Sequence, residues 1–491
     1  MKLSLLTEKL TYTLLAGNPD TEVTDICYDS RKIAEGNLFV CIPGTVVDGH
    51  DYIPDAVEKG VSALVVTREV PVPEGVAVLL VPDAREALSL LSAAFFGYPA
   101  KRLITIGITG TKGKTTTAYM VRQMLVRSGI PTGLVGTVEN IIGDRHIPAS
   151  HSTPESYELQ KYFAEMAEAG MKAVVMEVSS QGLKMKRVSG ILFDYGVFTN
   201  LGQDHIGPRE HESFEEYRMC KGLLFRQCRT GIVNMDDPEA ERVLSGHTCS
   251  LITFGTKEGC DYRAEDVSLH NSDGTMGVSY RLSGRAAFPV RVNIPGYFSV
   301  YNSLTAISIV SELGVPEEVI TAEMQQIRVR GRVEPVPVSK DFTVMVDYAH
   351  NGMALESLLT TLREYRPKRL VCCFGCGGNR SRDRRFEMGE ISSRLADLTI
   401  ATSDNPRFEE PEAILQDVIT GIKKADGAYV SVIDRREAIR YALSHAEPGD
   451  CIVIAGKGHE DYQEIKGVKY HMDDVEMIRE EAAALGLTAD V

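Results

Sequence analysis

A glycine-rich stretch between an apolar run and a helical pattern is where this sequence could bind phosphate. Residues 107–117 read Gly-Ile-Thr-Gly-Thr-Lys-Gly-Lys-Thr-Thr-Thr. A strand is predicted at Leu103–Ile108 and a helix at Thr115–Arg127, so backbone N–H groups and the helix N-terminus would point at an anion. Lys114 would reach the β- and γ-phosphates of a nucleotide, and the Thr115 hydroxyl would ligate Mg²⁺. The stretch therefore predicts a nucleoside triphosphate site.

This loop departs from the strict phosphate-loop pattern at one position. Ile108 stands where the pattern has glycine, so Gly110 and Gly113 must supply the turn. The alternative interpretation is a glycine-rich strand-to-helix turn in an ordinary α/β protein. The strand–loop–helix context favours the phosphate site.

One further side chain, Glu177, could hold a cation near such a loop, and two others, His205 and Lys221, also stand out. Glu177 ends the apolar run Lys172–Val178, where a buried carboxylate needs a cation or a donor, and hard divalent cations take oxygen ligands. His205 follows another apolar run, although a lone histidine is more often a core or surface residue. Lys221 lies in an apolar, helical stretch. If it is buried, it tends to lose its charge. The residues alone favour the alternative, a surface lysine whose apolar stem packs on the protein.

The last third of the chain carries three polar clusters, each after an apolar strand-like run. They are residues 375–380, 404–407 and 456–461. The carboxyl ends of parallel strands meet at one edge of a sheet, where open α/β sheets bind ligands. Arg380, Arg407 and Glu460 could together hold a zwitterionic amino acid, because arginine pairs with carboxylates and glutamate accepts from an ammonium group. The alternative is three surface turns with solvated charges.

The elements that must position these residues alternate between strand and helix patterns, which predicts an α/β protein with a mostly parallel last sheet. Residues 262–294 alternate apolar and polar side chains and predict a hairpin meander. Strands and helices before residue 100 are predicted at Gly36–Ile42, Ser62–Thr67, Val76–Val81, Ile53–Lys59 and Arg85–Phe96. Strands after residue 340 are predicted at Thr343–Val346, Leu370–Phe374, Leu398–Thr402, Tyr429–Ile433 and Cys451–Ile454.

Size and composition restrict the class of protein. The 491 residues suggest about three domains. The formal charge of −15 argues against binding nucleic acid or anionic lipid, and no apolar run approaches a membrane span. Met1–Thr7 has no signal-peptide pattern, and ten scattered cysteines suit reduced thiols in a cytoplasmic protein. Cys373 and Cys376 have redox or metal spacing but no second pair, so buried thiols are the preferred interpretation.

The variant Gly-Thr-Lys-Gly-Lys-Thr-Thr resembles the ATP loop of the Mur ligases and of folylpolyglutamate synthase, which join amino acids to carboxylates. Further motifs resemble the Mur ligase family in the same order along the chain: Glu177-Val178-Ser179-Ser180, Asn302 after Gly296, Arg330-Gly331-Arg332, and Asp347-Tyr348-Ala349-His350. The resemblance implies that ATP contacts Gly110, Thr111, Lys112, Gly113, Lys114, Thr115, Thr116, Asn302, Arg332, Asp347 and His350.

The same resemblance implies a catalytic set and a nucleotide-linked substrate. Lys114, Glu177, His205 and Lys221 would be catalytic, with two Mg²⁺ ions held by Thr115, Glu177, His205 and a CO₂-derived carbamate on Lys221. The UDP-linked substrate would contact Tyr28, Ser30, Thr45, Val46, Val47, Ser152, Thr153, Ser179 and Arg187. The chain departs from the family pattern at Gln181, Met185, Ser299 and Gly352.

The tetrad Asp404-Asn405-Pro406-Arg407 resembles the branch of the family that adds meso-diaminopimelate. Its amino acid would contact Arg380, the tetrad, Gly456 and Glu460. Diaminopimelate has a distal carboxylate for an arginine, whereas lysine would place a like charge there. The lysine-adding branch, a folylpolyglutamate-synthase-like ligase and a non-catalytic nucleotide-binding scaffold are the alternatives.

The resemblance implies three domains: a small UDP-substrate-binding α/β domain at 1–100, a central P-loop ATPase-like domain at 101–335 and a Rossmann-like amino-acid-binding domain at 336–491. The implied reaction is ATP-dependent addition of meso-diaminopimelate to the D-glutamate of UDP-N-acetylmuramoyl-L-alanyl-D-glutamate, in peptidoglycan precursor synthesis. The expected partners are these small molecules, with no nucleic acid and no membrane insertion. The sequence leaves the oligomeric state open and favours a monomer.

Overall fold

The computed structural model describes residues 1–44, 47–71, 74–204, 206–207, 210–272 and 275–487. Thr45, Val46 and His205, all predicted site residues, lie outside the described residues. The chain divides into two compact units, residues 1–261 with 305–316 and residues 262–304 with 317–491. The domain boundaries near residues 100 and 335 stay a prediction.

The first unit begins with a five-stranded sheet in the order β1-β5-β4-β3-β2. Its strands are parallel except β1, which pairs with β5 in the antiparallel sense. Helix α3 starts at an Asp83 cap whose side chain accepts from two backbone N–H groups. The elements are α1 Leu3–Leu6, β1 Thr13–Ala16, β2 Ile26–Cys27, β3 Leu38–Val40, α2 Ile53–Glu58, β4 Ala63–Val66, β5 Ala77–Leu80 and α3 Ala84–Phe95.

A second sheet of the first unit carries the phosphate loop. The elements are β6 Ile104–Thr109, α4 Lys114–Arg127, β7 Thr132–Val135, β8 Glu139–Ile142, β9 Arg145–Pro148, α5 Ser156–Glu168, β10 Ala173–Glu177, α6 Ser180–Lys184, β11 Phe193–Phe198, α7 Phe214–Gly222, β12 Cys228–Asn234, α8 Ala240–Val243 and β13 Ser250–Gly255. Within this unit the strand order is β13-β12-β11-β6-β10-β7-β8-β9. Strands from β13 to β7 are parallel, so their carboxyl ends share one edge.

The second unit contains a meander and a parallel sheet. Its elements are β14 Tyr262–Ser272, β15 Thr275–Gly284, β16 Pro289–Val292, α9 Phe298–Glu312 (which ends in the first unit), α10 Glu317–Gln326, β17 Glu334–Pro335, β18 Thr343–Asp347, α11 Gly352–Glu364, β19 Arg369–Phe374, α12 Arg382–Leu395, β20 Leu398–Ala401, α13 Pro411–Ile422, β21 Tyr429–Ser431, α14 Arg435–Ser444, β22 Asp450–Ala455, β23 Tyr462–Ile465, β24 Val468–His471 and α15 Asp474–Ala484. The sheet order is β17-β18-β22-β19-β20-β21, parallel except for β17. Buried Val344, Val371 and Ile454 contribute to its core.

These elements confirm the α/β prediction. Strand β6 and helix α4 flank the glycine-rich loop as expected, and β14 to β16 form the antiparallel meander. The cysteines are free thiols, and all but Cys260 are buried. The short strands β7 to β9 were not predicted from the sequence. A search of the described residues finds no helix with the length and apolar character that a membrane crossing requires.

Candidate active site

The phosphate loop leaves the buried strand β6 and enters helix α4 through Gly113, which has a φ of 86°. The Lys114 ammonium group donates to the carbonyl oxygens of Gly110 and Thr111, at 2.9 and 3.1 Å. The Lys112 N–H donates to the Asn200 side chain at 2.9 Å, which ties the loop to the end of β11. The loop therefore has the strand–turn–helix form that the sequence predicted.

Glu177 lies beneath this loop at the end of β10 and is almost fully buried. Its Oε1 atom accepts hydrogen bonds from the Thr115 hydroxyl at 2.9 Å and from the Thr137 N–H at 2.8 Å. Its Oε2 atom accepts from the Thr137 hydroxyl at 3.0 Å. A Cβ at Gly136 would lie 2.8 Å from Oε1, so the backbone approaches this carboxylate closely. Carboxylate and hydroxyl oxygens are donors that Mg²⁺ prefers, so this pair suits that ion.

Lys221 is buried on helix α7, next to the loop. Its Nζ donates to the Gly110 carbonyl oxygen at 2.8 Å and lies 4.4 Å from the centre of the Tyr217 ring. Burial, with the nearby positive charge of Lys114, lowers the pKa of Lys221 well below its ordinary 10.5. The Tyr217 hydroxyl and the Thr111 hydroxyl are hydrogen-bonded at 3.0 Å. The neutral amine is the form of lysine that reacts with CO₂, and burial favours that form. Lys221 is therefore suited to carry a carbamate.

The predicted muramoyl-side residues meet the same edge. Thr153 donates to the Glu177 carbonyl oxygen at 2.9 Å and accepts from the Ser179 N–H at 2.9 Å. Arg187 donates to the Thr153 carbonyl oxygen at 2.9 Å, and the Ser152 and Thr137 hydroxyl oxygens are hydrogen-bonded at 2.8 Å. Ser152, Thr153, Ser179 and Arg187 therefore form one network with Glu177.

The remaining UDP-side residues lie on the N-terminal part of the first unit. The Tyr28 hydroxyl donates to Glu158 on helix α5 at 2.7 Å, so Tyr28 contacts the segment after the muramoyl-side residues. Ser30 begins a single 3-10 turn, and Val47 is 48% exposed. These positions leave all three side chains on or near the surface.

The predicted nucleotide residues of the second unit form a smaller group. Asp347 ends β18 and accepts from the backbone N–H groups of Val333 and Ala349, both at 2.8 Å. Burial raises the pKa of Asp347, although Arg332 and these donors oppose the shift. The Arg332 guanidinium lies 5.2 Å from the Tyr348 ring, and His350 lies 4.6 Å from the same ring. Asn302 is buried in helix α9.

The three polar clusters of the second unit converge at one edge of its sheet. Asn405 donates to the Glu460 carboxylate at 2.8 Å, and the Gly378 N–H donates to the Asn405 carbonyl oxygen at 2.8 Å. Arg407 donates to the Gly378 carbonyl oxygen at 2.8 Å and pairs with Glu464 at 3.2 Å. Arg380 lies beside Gly377 in the same loop. Guanidinium, amide and carboxylate groups are therefore gathered where an amino acid could bind.

Sequence reasoning missed several residues that support these sites. Thr137 lies two residues after the end of the buried strand β7, so the shared sheet edge could have identified it. Lys457 is fully buried between Asn405 and Glu460, with its Nζ at 3.4 and 3.3 Å from their oxygens. Its position between Gly456 and Gly458 was a usable signal. Glu464 carries no pattern that connects it to Arg407.

Comparison with family models matches three consecutive parts of the chain. Residues 22–96 match the Mur ligase family catalytic domain, residues 108–310 the Mur ligase middle domain, and residues 331–458 the Mur ligase glutamate ligase domain.

Curated relatives match nearly the whole chain. The UDP-N-acetylmuramoyl-L-alanyl-D-glutamate--2,6-diaminopimelate ligase of Caldanaerobacter subterraneus is 41% identical, over 95% of this chain and 96% of the relative. The protein of the same name from Clostridium perfringens is 40% identical, over 97% and 99%. A solved structure of a ligase of that name is 28% identical, with a TM-score of 0.75 over 99% of this chain and 100% of the other. A folylpolyglutamate synthase from Thermotoga maritima, 18% identical over 76% of this chain and 90% of the other with a TM-score of 0.56, shares the fold.

Proposed function

Because this chain belongs to the Mur ligase family, we propose that it is an ATP-dependent ligase that joins meso-diaminopimelate to the D-glutamate of UDP-N-acetylmuramoyl-L-alanyl-D-glutamate. Relatives at 40–41% identity over nearly the full length carry the name of that ligase. The structural observation that carries the proposal is the Glu177–Thr115 pair beneath the phosphate loop, at 2.9 Å, with buried Lys221 beside it.

The reaction needs activation because hydroxide is a poor leaving group from a carboxylate. The side-chain carboxylate of D-glutamate takes the γ-phosphoryl group of ATP, which gives an acyl phosphate and ADP. The amine of diaminopimelate then attacks the acyl carbon, inorganic phosphate leaves, and a proton is released. The protein's part in the first step is chiefly positioning and neutralisation of charge.

Lys114 and the backbone N–H groups of the loop bind the triphosphate. Glu177 and Thr115 would hold Mg²⁺, which neutralises charge on the phosphoryl oxygens when it is bound. The Thr137 N–H and hydroxyl keep both carboxylate oxygens of Glu177 oriented toward this position. We expect His205 to belong to a second cation site, as the family resemblance implies.

Lys221 is proposed to react with CO₂, forming a carbamate and releasing a proton. The reaction needs the neutral amine, and burial, which lowers the pKa of Lys221, increases the share of that form. The carbamate would add an anionic oxygen ligand next to the phosphate loop. Two observations support the carbamate: Lys221 is buried, and its Nζ atom contacts the Gly110 carbonyl oxygen.

The loops of the second unit are proposed to select the amino acid. Arg407 offers a guanidinium to the distal carboxylate of diaminopimelate, and Glu460 accepts from an ammonium group. Lysine has no carboxylate at that end and would present a cation to Arg407. The preference for diaminopimelate therefore rests on Arg407.

The test is incubation with ATP, Mg²⁺, the UDP-linked dipeptide and either amino acid, with mass spectrometry of the product. We expect the diaminopimelate adduct, and at least about tenfold slower turnover of lysine, since one lost charge-assisted contact corresponds to about 1.5–3 kcal/mol. The Arg407→Ala variant should lose most of this preference. Preference for lysine would contradict the choice of amino acid, and absence of ADP with both would contradict the ligase itself.

A further inference from the structure

His211, Glu216 and Cys220 form a cluster of potential metal ligands on and just before helix α7. One ligand atom from each lies within 4.8 Å of the others, and the His211 Nδ1 and Glu216 Oε2 atoms are 3.5 Å apart. Glu216 and Cys220 are four residues apart on the helix, so they share a face. The proposed Mg²⁺ site at Thr115 and Glu177 does not use these three side chains.

The Nδ1 atom of His211 faces the Glu216 carboxylate of this cluster at 3.5 Å. His211 is fully buried, and its Nε2 atom is 2.9 Å from the Ser180 hydroxyl. Across the part of the chain that the structure describes, its Nδ1 atom has no hydrogen-bond partner. A buried polar atom without a hydrogen bond lowers the free energy of unfolding by about 1–3 kcal/mol. With Nε2 donating to Ser180, Nδ1 carries the lone pair that a metal ion requires.

The other two side chains can supply the remaining donors. Lys184 pairs with Oε1 of Glu216 at 2.8 Å, and the Glu212 N–H donates to Oε2 at 2.8 Å. Oε2 keeps a further acceptor position on the side of His211. Cys220 is buried and has a free thiol. One carboxylate and one thiolate would balance a divalent cation, so the filled site would be neutral and tolerate burial.

We propose that His211, Glu216 and Cys220 bind a borderline-soft divalent cation, for which Zn²⁺ is the best match. Nitrogen, sulfur and oxygen ligands together are typical of Zn²⁺, whereas Mg²⁺ takes oxygen ligands. Bond lengths of about 2.0–2.3 Å in a tetrahedral site place ligand atoms about 3.3–3.8 Å apart, so side-chain adjustments of about 1 Å close the cluster. Cys220 releases its proton on binding, and the fourth position stays open to water.

The same helix connects this site to the phosphate loop. Tyr217 and Lys221 of α7 contact Thr111 and Gly110 at 3.0 and 2.8 Å. A bound ion would fix the helix between these contacts, so we expect Zn²⁺ to lower the ligase rate. This inhibitory effect rests on the proposed function, whereas the binding itself does not.

Binding is tested by titrating the full chain with Co²⁺, without nucleotide and with excess Mg²⁺ to fill oxygen-ligand sites. A thiolate-to-cobalt absorption band that saturates at one equivalent and is removed by Zn²⁺ is expected. Cys220→Ala should abolish the band, and Glu216→Gln should weaken Co²⁺ binding at least about tenfold. The matched control is Cys228→Ala, whose thiol is outside the cluster and whose band should equal that of the parent. Circular dichroism establishes that each variant is folded.

The outcomes distinguish metal binding by the cluster from the effect of the bound ion on the ligase rate. No band in the parent, or a band that persists in Cys220→Ala, would overturn the site; if Cys220→Ala does not fold, His211→Gln decides in the same way. Ligase assays then compare Zn²⁺ inhibition of the parent and of Cys220→Ala, with inhibition expected only in the parent. Equal inhibition would overturn the link between the ion and the phosphate loop, while an intact cobalt signal would still support binding.

Discussion

At the scale of single residues, the central feature of the candidate active site is how Glu177 is held. Its two oxygens accept from the Thr115 hydroxyl and from both donors of Thr137. These neutral donors orient the carboxylate without cancelling its charge. Thr137 therefore decides where the Glu177 carboxylate points.

Replacing Thr137 with valine should weaken metal use without unfolding the protein. Valine keeps the shape and the backbone N–H but removes the hydroxyl that donates to Glu177. Residues that orient a metal ligand typically affect metal affinity by about 10- to 100-fold. The Mg²⁺ concentration for half-maximal ligase activity should rise by about that factor, with the thermal midpoint nearly unchanged.

Thr117→Val is the matched control for that experiment. Thr117 is buried in the first turn of α4, and its hydroxyl has no hydrogen-bond partner in the described part of the chain. Its replacement should leave the Mg²⁺ dependence unchanged. An equal shift in both variants would mean that the Thr137 hydroxyl has no orienting role.

The lowered pKa of Lys221 predicts a specific dependence of stability on pH. Between the lowered pKa in the folded protein and the ordinary 10.5 of the unfolded chain, the unfolded state binds more protons. Stability therefore rises with pH in that window, by up to about 1.4 kcal/mol per pH unit. In CO₂-free buffer, the urea midpoint of the parent should increase relative to Lys221→Met as the pH rises toward 10.5. A constant difference would contradict a depressed pKa.

Individual site residues differ in how far the sequence could predict them. Lys114, Thr115 and Glu177 follow strand ends in a known pattern, and the structure brings them together. Their roles with ligands stay predictions. Thr137 and Glu464 act through tertiary contacts across 40 and 57 positions of chain, and no local pattern encodes such distances.

At the scale of elements, the turn between β6 and α4 depends on glycine at position 110. Gly110 has a φ of 148°, which side chains rarely adopt, and a Cβ there would overlap the Thr199 hydroxyl. The Thr199 hydroxyl in turn donates to the Lys112 carbonyl oxygen at 2.8 Å. A side chain at position 110 would therefore displace the loop from the end of β11.

Gly110→Ala should weaken nucleotide binding strongly. Backbone strain of about 1–3 kcal/mol is expected at such a position, which corresponds to a loss in ATP affinity of about tenfold or more. Calorimetric titration with an ATP analogue measures this loss. Gly202→Ala is the control, because among the described residues, apart from its two chain neighbours, no atom lies within 4 Å of a Cβ there. If both variants bind equally well, the conformation of Gly110 does not matter for the site.

The elements on either side of the phosphate loop were predicted, and so were short strands such as β4 and β21, whereas β7 to β9 were not predicted. Helix α4 begins at Lys114, one residue before its predicted start, and β6 is where the apolar run indicated. Strands β7 to β9 have four residues each and pair as a local meander, so they carry too few side chains for a clear periodicity.

At the scale of the whole molecule, the predicted ligand sites fall in different compact units. The described residues assigned to the UDP-linked substrate are all in the first unit, and those assigned to the amino acid are all in the second. The chain passes from one unit to the other at residues 261–262, 304–305 and 316–317. One cleavage cannot separate the units, so their stabilities must be measured in the intact protein.

Scanning calorimetry of the intact chain should resolve two transitions, each sensitive to one ligand. A ligand at about 100 times its dissociation constant stabilises the unit that binds it by about 2.7 kcal/mol. The UDP-linked dipeptide should therefore raise the midpoint of one transition and diaminopimelate that of the other. Arg187→Ala should abolish the first shift and leave the second, while Arg407→Ala should do the reverse. If both ligands moved the same transition, or if each variant lost both shifts, the assignment of the two substrates to separate units would be wrong.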